Sequence, residues 1–222
     1  MFTVSFIGSK GGCGKTTSAL GLAVAATRAG QDVALIDLDP QATAANWKDR
    51  RGDDGPAVVS AQASRLVPIL NGAREGGADL VIIDTAGRND DSALNAARNS
   101  DLVLIPSKAV VGELETLGGV HDLLRVAGNP SVFVLLNRIE PGARKQFEDA
   151  KGMIERTFGL QVCPFFLSQF RAYENALETG QTAQELDPNG RTAAELDKLY
   201  LFICELVKKG DREHGQKLAG RA

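Results

Sequence analysis

A chain of 222 residues with a net charge of −3 is long enough for one domain with a sizeable core, and its 43% apolar, 24% charged and 5% aromatic residues exclude a disordered or collagen-like protein. No stretch reaches the roughly 18 to 20 uncharged apolar residues of a membrane span, and Met1 runs straight into the apolar segment 2–7 without the charged start of a secretion signal. Cys13, Cys163 and Cys204 are widely spaced with no CxxC pair, which argues against a disulfide framework or zinc cluster and makes a reducing cytoplasm the expected location.

Taken in order, residues 2–7 predict a first strand and 16–29, closed by Gly30, a helix. A strand is expected at 32–36 and a weaker one at 57–59, then a helix at 64–74 ending before Gly76 and Gly77. Strands at 79–83 and 101–105 flank a helix at 90–99, and a helix at 113–127 closed by Gly128 leads to a strand at 131–136. A helix at 143–158 closed by Gly159 and a weak strand at 160–163 follow. Leu196, Leu199, Tyr200, Ile203, Leu206 and Val207 share one face of a last helix at 192–208. With no internal repeat and no long polar linker, this alternation implies an α/β fold. A single-domain, doubly wound, mostly parallel sheet is expected over residues 1–208, with ligands beyond the carboxyl ends of the strands. Residues 209–222 form a basic tail: from Lys208 onward there are five basic residues against two acidic ones. Such an end is either a solvated, frayed terminus or a handle for a polyanion such as DNA.

The sharpest motif follows the first strand. Ser9-Lys10-Gly11-Gly12-Cys13-Gly14-Lys15-Thr16-Thr17 opens a helix, the context of a phosphate-binding loop. Glycines let successive amides turn toward phosphate oxygens, the helix N-terminus adds its dipole, and Lys15 supplies a point charge at the β and γ phosphates. The Thr16 hydroxyl is placed to coordinate magnesium. The strict GxxxxGK[ST] pattern fails because Ser9 stands at its first glycine, and a second lysine, Lys10, comes next.

Lys10-Gly11-Gly12-x-Gly14-Lys15-Thr16-Thr17 resembles the deviant Walker A motif of the ParA/MinD ATPases, making the chain a P-loop NTPase on that likeness. The resemblance implies that Lys10 reaches across the interface of an ATP-sandwiched homodimer, and that Lys10, Gly11, Gly12, Cys13, Gly14, Lys15, Thr16 and Thr17 line the nucleotide.

Two strand ends carry acids suited to magnesium or to an attacking water. Asp37-Leu38-Asp39-Pro40-Gln41 resembles the family's DxDPQ element, whose second aspartate handles the hydrolytic water; Asp39 is therefore the expected catalytic residue beside Lys10 and Lys15. Asp37 is expected to support magnesium-bound water or Lys10. The apolar run before Asp84-Thr85-Ala86-Gly87 reads as a Walker B element, which makes Asp84 a magnesium-linked carboxylate and 85–87 a γ-phosphate sensor. Trp47 resembles a tryptophan of small ParA proteins and reads equally as packing. Asn137-Arg138 resembles the pair that borders the adenine. Arg171-Ala172-Tyr173, Asp187-Pro188-Asn189-Gly190 and Ala193-Ala194-Glu195 continue the likeness to about residue 208. One segment departs: where the family has Pro-x-x-Pro-Ser-x-x-Asp, this chain keeps only Pro106 and carries Glu113 in place of the acid.

His121 and His214 are too far apart for a metal cluster or a triad. Cys163 and Cys204 do not resemble the cluster cysteines of the nitrogenase iron protein. Arg50-Arg51 and Arg144-Lys145 read as solvated pairs with a smaller case for DNA.

The resemblance therefore implies a magnesium-dependent ATPase of weak basal activity. ATP and Mg2+ would drive a homodimer that binds non-specific DNA and is released by a ParB-like partner, segregating a plasmid or chromosome from a nucleoid-associated cytoplasmic location. The alternative is a MinD-like or cargo-positioning ATPase. Because 210–220 offers one leucine and three glycines, no membrane docking is expected.

Overall fold

In the computed structural model, residues 1–52, 55–87, 91–128 and 130–219 are described, with side chains as far as Lys209. Among the described residues seven strands form one sheet in which every pairing is parallel, so the expected mostly parallel sheet is parallel throughout. They are β1 (Phe2–Phe6), β2 (Val33–Asp37), β3 (Ala57–Ser60), β4 (Leu80–Asp84), β5 (Leu102–Lys108), β6 (Ser131–Asn137) and β7 (Gln161–Val162), in the order β3-β2-β4-β1-β5-β6-β7.

The apolar runs have a direct cause in this arrangement. Alternate residues of each strand enter opposite cores, so both faces must be apolar. Leu35, Ile82, Leu104 and Leu135 pack on one face, while Ile36, Ile83, Ile105 and Leu136 pack on the other. Helices α1 (Lys15–Arg28), α2 (Thr43–Arg51), α8 (Arg171–Glu178), α9 (Ala183–Leu186) and α10 (Arg191–Ala219) cover the first face. Helices α3 (Leu66–Glu75), α4 (Asp91–Arg98), α6 (Leu117–Ala127) and α7 (Arg144–Phe158) cover the second, and a short α5 (Val111–Leu114) follows β5. α1 and α10 cross closely: a Cβ on Gly21 would lie 2.5 Å from Leu196, and the Gln184 side-chain amide donates to the Gly21 carbonyl at 2.9 Å.

Several sequence-based boundaries are corrected. β2 and β4 include Asp37 and Asp84, which pair with each other across the ladder, so the two acids are the last residues of strands rather than loop residues. The helix expected at 113–127 is broken after Leu114, because Glu113 turns back to Lys108 and the Thr116 hydroxyl caps the Glu113 carbonyl at 2.7 Å. The last helix runs beyond Lys208 to Ala219; the side chains of the basic tail from 210 onward lie outside the described residues.

Candidate nucleotide site

The carboxyl ends of the central strands bring the predicted residues to one edge. Phe6, Asp37 and Asp84 stand level across β1, β2 and β4, and the loop leaving β1 closes over them. At its end Gly14 caps α1 in the left-handed region (φ +92°), and a Cβ there would sit 2.0 Å from the Asn137 side-chain nitrogen. Backbone conformation and space therefore both demand glycine. Asn137 in turn donates to the Cys13 carbonyl at 3.0 Å, tying the loop to the end of β6.

Lys15 is 6% exposed, and its ammonium donates to the Lys10 carbonyl at 3.0 Å and contacts the Cys13 sulfur at 3.8 Å. This poises a buried cation inside the loop. Lys10 is exposed, and its ammonium is donated to the Gly112 carbonyl at the start of α5. The expected Lys10–Asp37 contact is not made. Instead Asp37, fully buried, accepts the Asp39 amide at 3.0 Å with Oδ1 and the Ala44 and Ala45 amides at 2.9 and 3.2 Å with Oδ2. Its carboxylate thereby caps α2 and shapes the turn that carries Asp39. Asp39 is half-exposed, with Oδ1 accepting the Gln41 amide at 2.9 Å, and Ala42 beside it is left-handed (φ +50°).

Asp84 differs from Asp37 in having no hydrogen bond on either oxygen, although it is fully buried. Desolvation pushes its carboxyl up to about 7; the charges of Asp37 and Asp39 add to that, while Thr16 and Lys15 oppose it. A buried, unpartnered carboxylate near a threonine hydroxyl fits a divalent cation that takes its other oxygens from phosphate and water. No group of three or more acidic, histidine or cysteine side chains forms a complete protein cage among the described residues.

Of the segment expected to sense the γ phosphate, Thr85 is tied to β1 and Gly87 packs on the phosphate loop. The Thr85 hydroxyl is committed to the Phe6 carbonyl at 2.8 Å. Gly87 presses on the phosphate loop itself: a Cβ there would lie 2.7 Å from the Gly11 nitrogen and from the Lys10 carbonyl carbon. Since backbone rather than a pliable side chain opposes it, Gly87→Ala is expected to cost about 1–3 kcal/mol in a denaturant titration, with unchanged stability counting against this contact.

Next to Gly14 and Thr17 a pocket opens between β6 and α8, lined also by Asn137, Arg138, Gln169, Phe170, Tyr173 and Glu174. Arg138 pairs with Glu174 at 2.9 Å on the pocket rim. The 167–170 segment and α8 were not among the sequence-predicted site residues; the Arg171-Ala172-Tyr173 likeness was the signal that pointed toward them.

On the far side of the loop, Glu113 is nearly buried, paired to the Lys108 ammonium at 3.0 Å and accepting the Lys108 amide at 3.1 Å. The departing acid is thus spent on its own strand end. Trp47 is fully buried, its indole N–H donated to the Gln181 carbonyl at 2.9 Å; Arg51 is bound to Gly180 and Glu185 rather than solvated, while Arg50 is exposed, as expected, and donates to the Leu177 carbonyl. Arg144 and Lys145 stay on the surface in pairs with Glu148 and Asp149.

A parallel sheet with a glycine-rich loop after its central strand, a buried lysine in that loop and acids at two neighbouring strand ends defines a P-loop nucleotide-binding protein. Residues 4–183 match the model of the CobQ/CobB/MinD/ParA nucleotide binding domain, and the chain belongs to that family of ATPases. It is 32% identical, over 95% of both chains, to the maintenance of carboxysome distribution protein A of Gloeobacter kilaueensis. The fold is similar to that of apo McdA of Cyanthece (TM-score 0.75, 17% identity, 93% of this chain and 99% of the other). It is also similar to the septum site-determining protein MinD of Pyrococcus horikoshii complexed with Mg-ADP (TM-score 0.73, 19% identity, 93% and 97%). No described helix is long and apolar enough to cross a membrane.

Proposed function

We propose that this chain is an ATP-driven positioning ATPase whose cargo is a protein-bounded compartment, and that it works as an ATP-gated homodimer on non-specific DNA. The observation that carries the choice of cargo is the 32% identity to a carboxysome distribution protein along nearly the whole of both chains. That likeness moves plasmid or chromosome partition with a ParB-like partner, the main expectation from the motifs, to second place.

In this reading the triphosphate lies along the loop 10–17, with Lys15 leaving the Lys10 carbonyl to meet the distal phosphates. Thr16 and Asp84 are the residues that would hold magnesium, with Asp37 acting through the shape of the turn rather than as a ligand. When bound, the cation neutralises charge on the phosphates being separated. Asp39 orients the water, its position set by the Asp37 carboxylate beneath it. Asn137 and Arg138 border the nucleoside end in the pocket beside Gly14. Lys10 is exposed on the loop and is free to exchange the Gly112 carbonyl for a partner subunit's phosphate. Slow basal turnover follows if a cargo-bound partner protein must complete the site, since a missing external group leaves about 10³–10⁵ in rate unrealised in P-loop enzymes. A DNA-bound dimer would place the protein on the nucleoid.

Deleting the gene in its own host tests the cargo. Labelled protein compartments are expected to lose their even spacing while resident plasmids are retained at their usual frequency. Plasmid loss with evenly spaced compartments would overturn the cargo assignment in favour of partition.

A further inference from the structure

The pocket wall at 167–170 is held in an unusual way. Its backbone runs beside the end of β6, where the Leu167 and Gln169 amides donate to the Leu136 and Ile139 carbonyls at 3.0 and 2.8 Å. The intervening Ser168 amide faces the opposite side, away from that partner. Ser168 is 5% exposed, so its N–H and hydroxyl need acceptors inside the protein. Both come from one side chain on α10: Glu195 Oε2 accepts the Ser168 amide at 2.8 Å, and Oε1 accepts its hydroxyl at 2.6 Å. A third donor, the Tyr173 hydroxyl, reaches Oε2 at 2.9 Å from α8.

Glu195 therefore clamps two pieces of the pocket, Ser168 and Tyr173, to the last helix. It is not acting as half of an ion pair. Arg191 and Lys198, one turn to either side on the same helix, line an adjoining groove, yet among the described residues neither is paired with it. Burial, reinforced by the Glu195 charge, raises the Tyr173 hydroxyl and keeps it a donor. Three donors on one carboxylate fix direction more than they add charge attraction.

We propose that Glu195 is a positioning residue for base recognition: it sets the backbone path of 167–170 against which the purine of the nucleotide is read. This rests on the assignment of the pocket beside Gly14 and Thr17 to the nucleoside end. The phosphate loop shares no hydrogen bond with Glu195, so its grip on phosphates is independent of the clamp.

The test measures dissociation constants for ATP, GTP and inorganic tripolyphosphate with the full chain, in wild type and in Glu195→Ala, Glu195→Gln and Tyr173→Phe, with melting curves alongside. Glu195→Ala is expected to weaken ATP about tenfold, bring the ATP and GTP constants together and leave tripolyphosphate unchanged. Glu195→Gln, which keeps one accepting oxygen, is expected to recover part of the loss, and Tyr173→Phe, which removes a single donor, to weaken ATP about threefold. An equal fall for ATP and tripolyphosphate, or no change in a folded variant, would overturn the proposal. If Glu195→Ala does not fold, Tyr173→Phe decides by the same criterion. Wild type binding ATP no more tightly than tripolyphosphate would overturn the pocket assignment itself, and the proposal with it.

Discussion

Lys15→Ala is expected to weaken ATP and ADP binding by about 30- to 150-fold while leaving the chain folded. A charge-assisted hydrogen bond contributes about 2–3 kcal/mol when its partner would otherwise be desolvated without it. Lys15 is nearly buried inside the loop, so no solvent-exposed lysine can replace it at the same place. Its ammonium donates to the Lys10 carbonyl and contacts the Cys13 sulfur, interactions that a phosphate oxygen readily outbids. Removing it costs the empty protein little, because the burial of an unpaired cation offsets one hydrogen bond. Titration calorimetry with ATP, ADP and adenosine checks this. The loss should appear for both phosphate-bearing ligands and vanish for adenosine; an equal loss for all three would mean that the loop had collapsed.

Between pH 5 and pH 8 the ligand-free chain is expected to lose about 2–3 kcal/mol of stability through Asp84 alone. Its carboxyl is pushed up to about 7 in the folded protein because the desolvation of full burial outweighs the opposing pull of Thr16 and Lys15, against 3.8 when unfolded. The native state then binds more protons than the unfolded one throughout that interval. Stability is greatest with the group protonated, falls as pH rises toward 7, and levels off above it. Asp37, also raised mainly by desolvation, pulls in the same direction. Asp84→Asn removes the titration, so the variant's stability curve should be flatter by the same amount, and denaturant unfolding at several pH values measures the difference. Parallel curves for the two proteins would contradict an unpartnered, neutral Asp84. If magnesium is held at Asp84 as proposed, the same variant should also lose any gain in nucleotide affinity on adding magnesium.

What the sequence made legible follows from where each signal is local. The sheet was readable because strands buried on both faces are apolar at successive positions, as over 80–83 and 102–106. The phosphate end of the site was readable because loop, helix start and lysine are contiguous from Lys10 to Thr17. α2 was not readable: Thr43–Arg51 buries only Ala44 and Trp47, too few for a helical period. Its stability comes from outside itself, through the Asp37 carboxylate at its first amides and the hydrogen bonds of Trp47, Arg50 and Arg51 to 177–185. The base end of the site was hidden for a similar reason. Residues 167–170 carry no motif, and the acid that fixes them lies 27 residues away on another helix. The way Asp37 is held was hidden because its spacing from Asp39 says nothing of which way its side chain turns; three backbone amides decide that.

The central claim, an ATP-gated dimer built around this loop, is tested most directly by sedimentation velocity of wild type, Asp39→Ala and Lys10→Ala with magnesium and either ATP or ADP. Monomers are expected with ADP, dimers with ATP, longer-lived dimers in Asp39→Ala if Asp39 serves hydrolysis as proposed, and no dimers in Lys10→Ala. Saturating ATP with every protein monomeric, or dimers indifferent to the nucleotide and to Lys10, would contradict it.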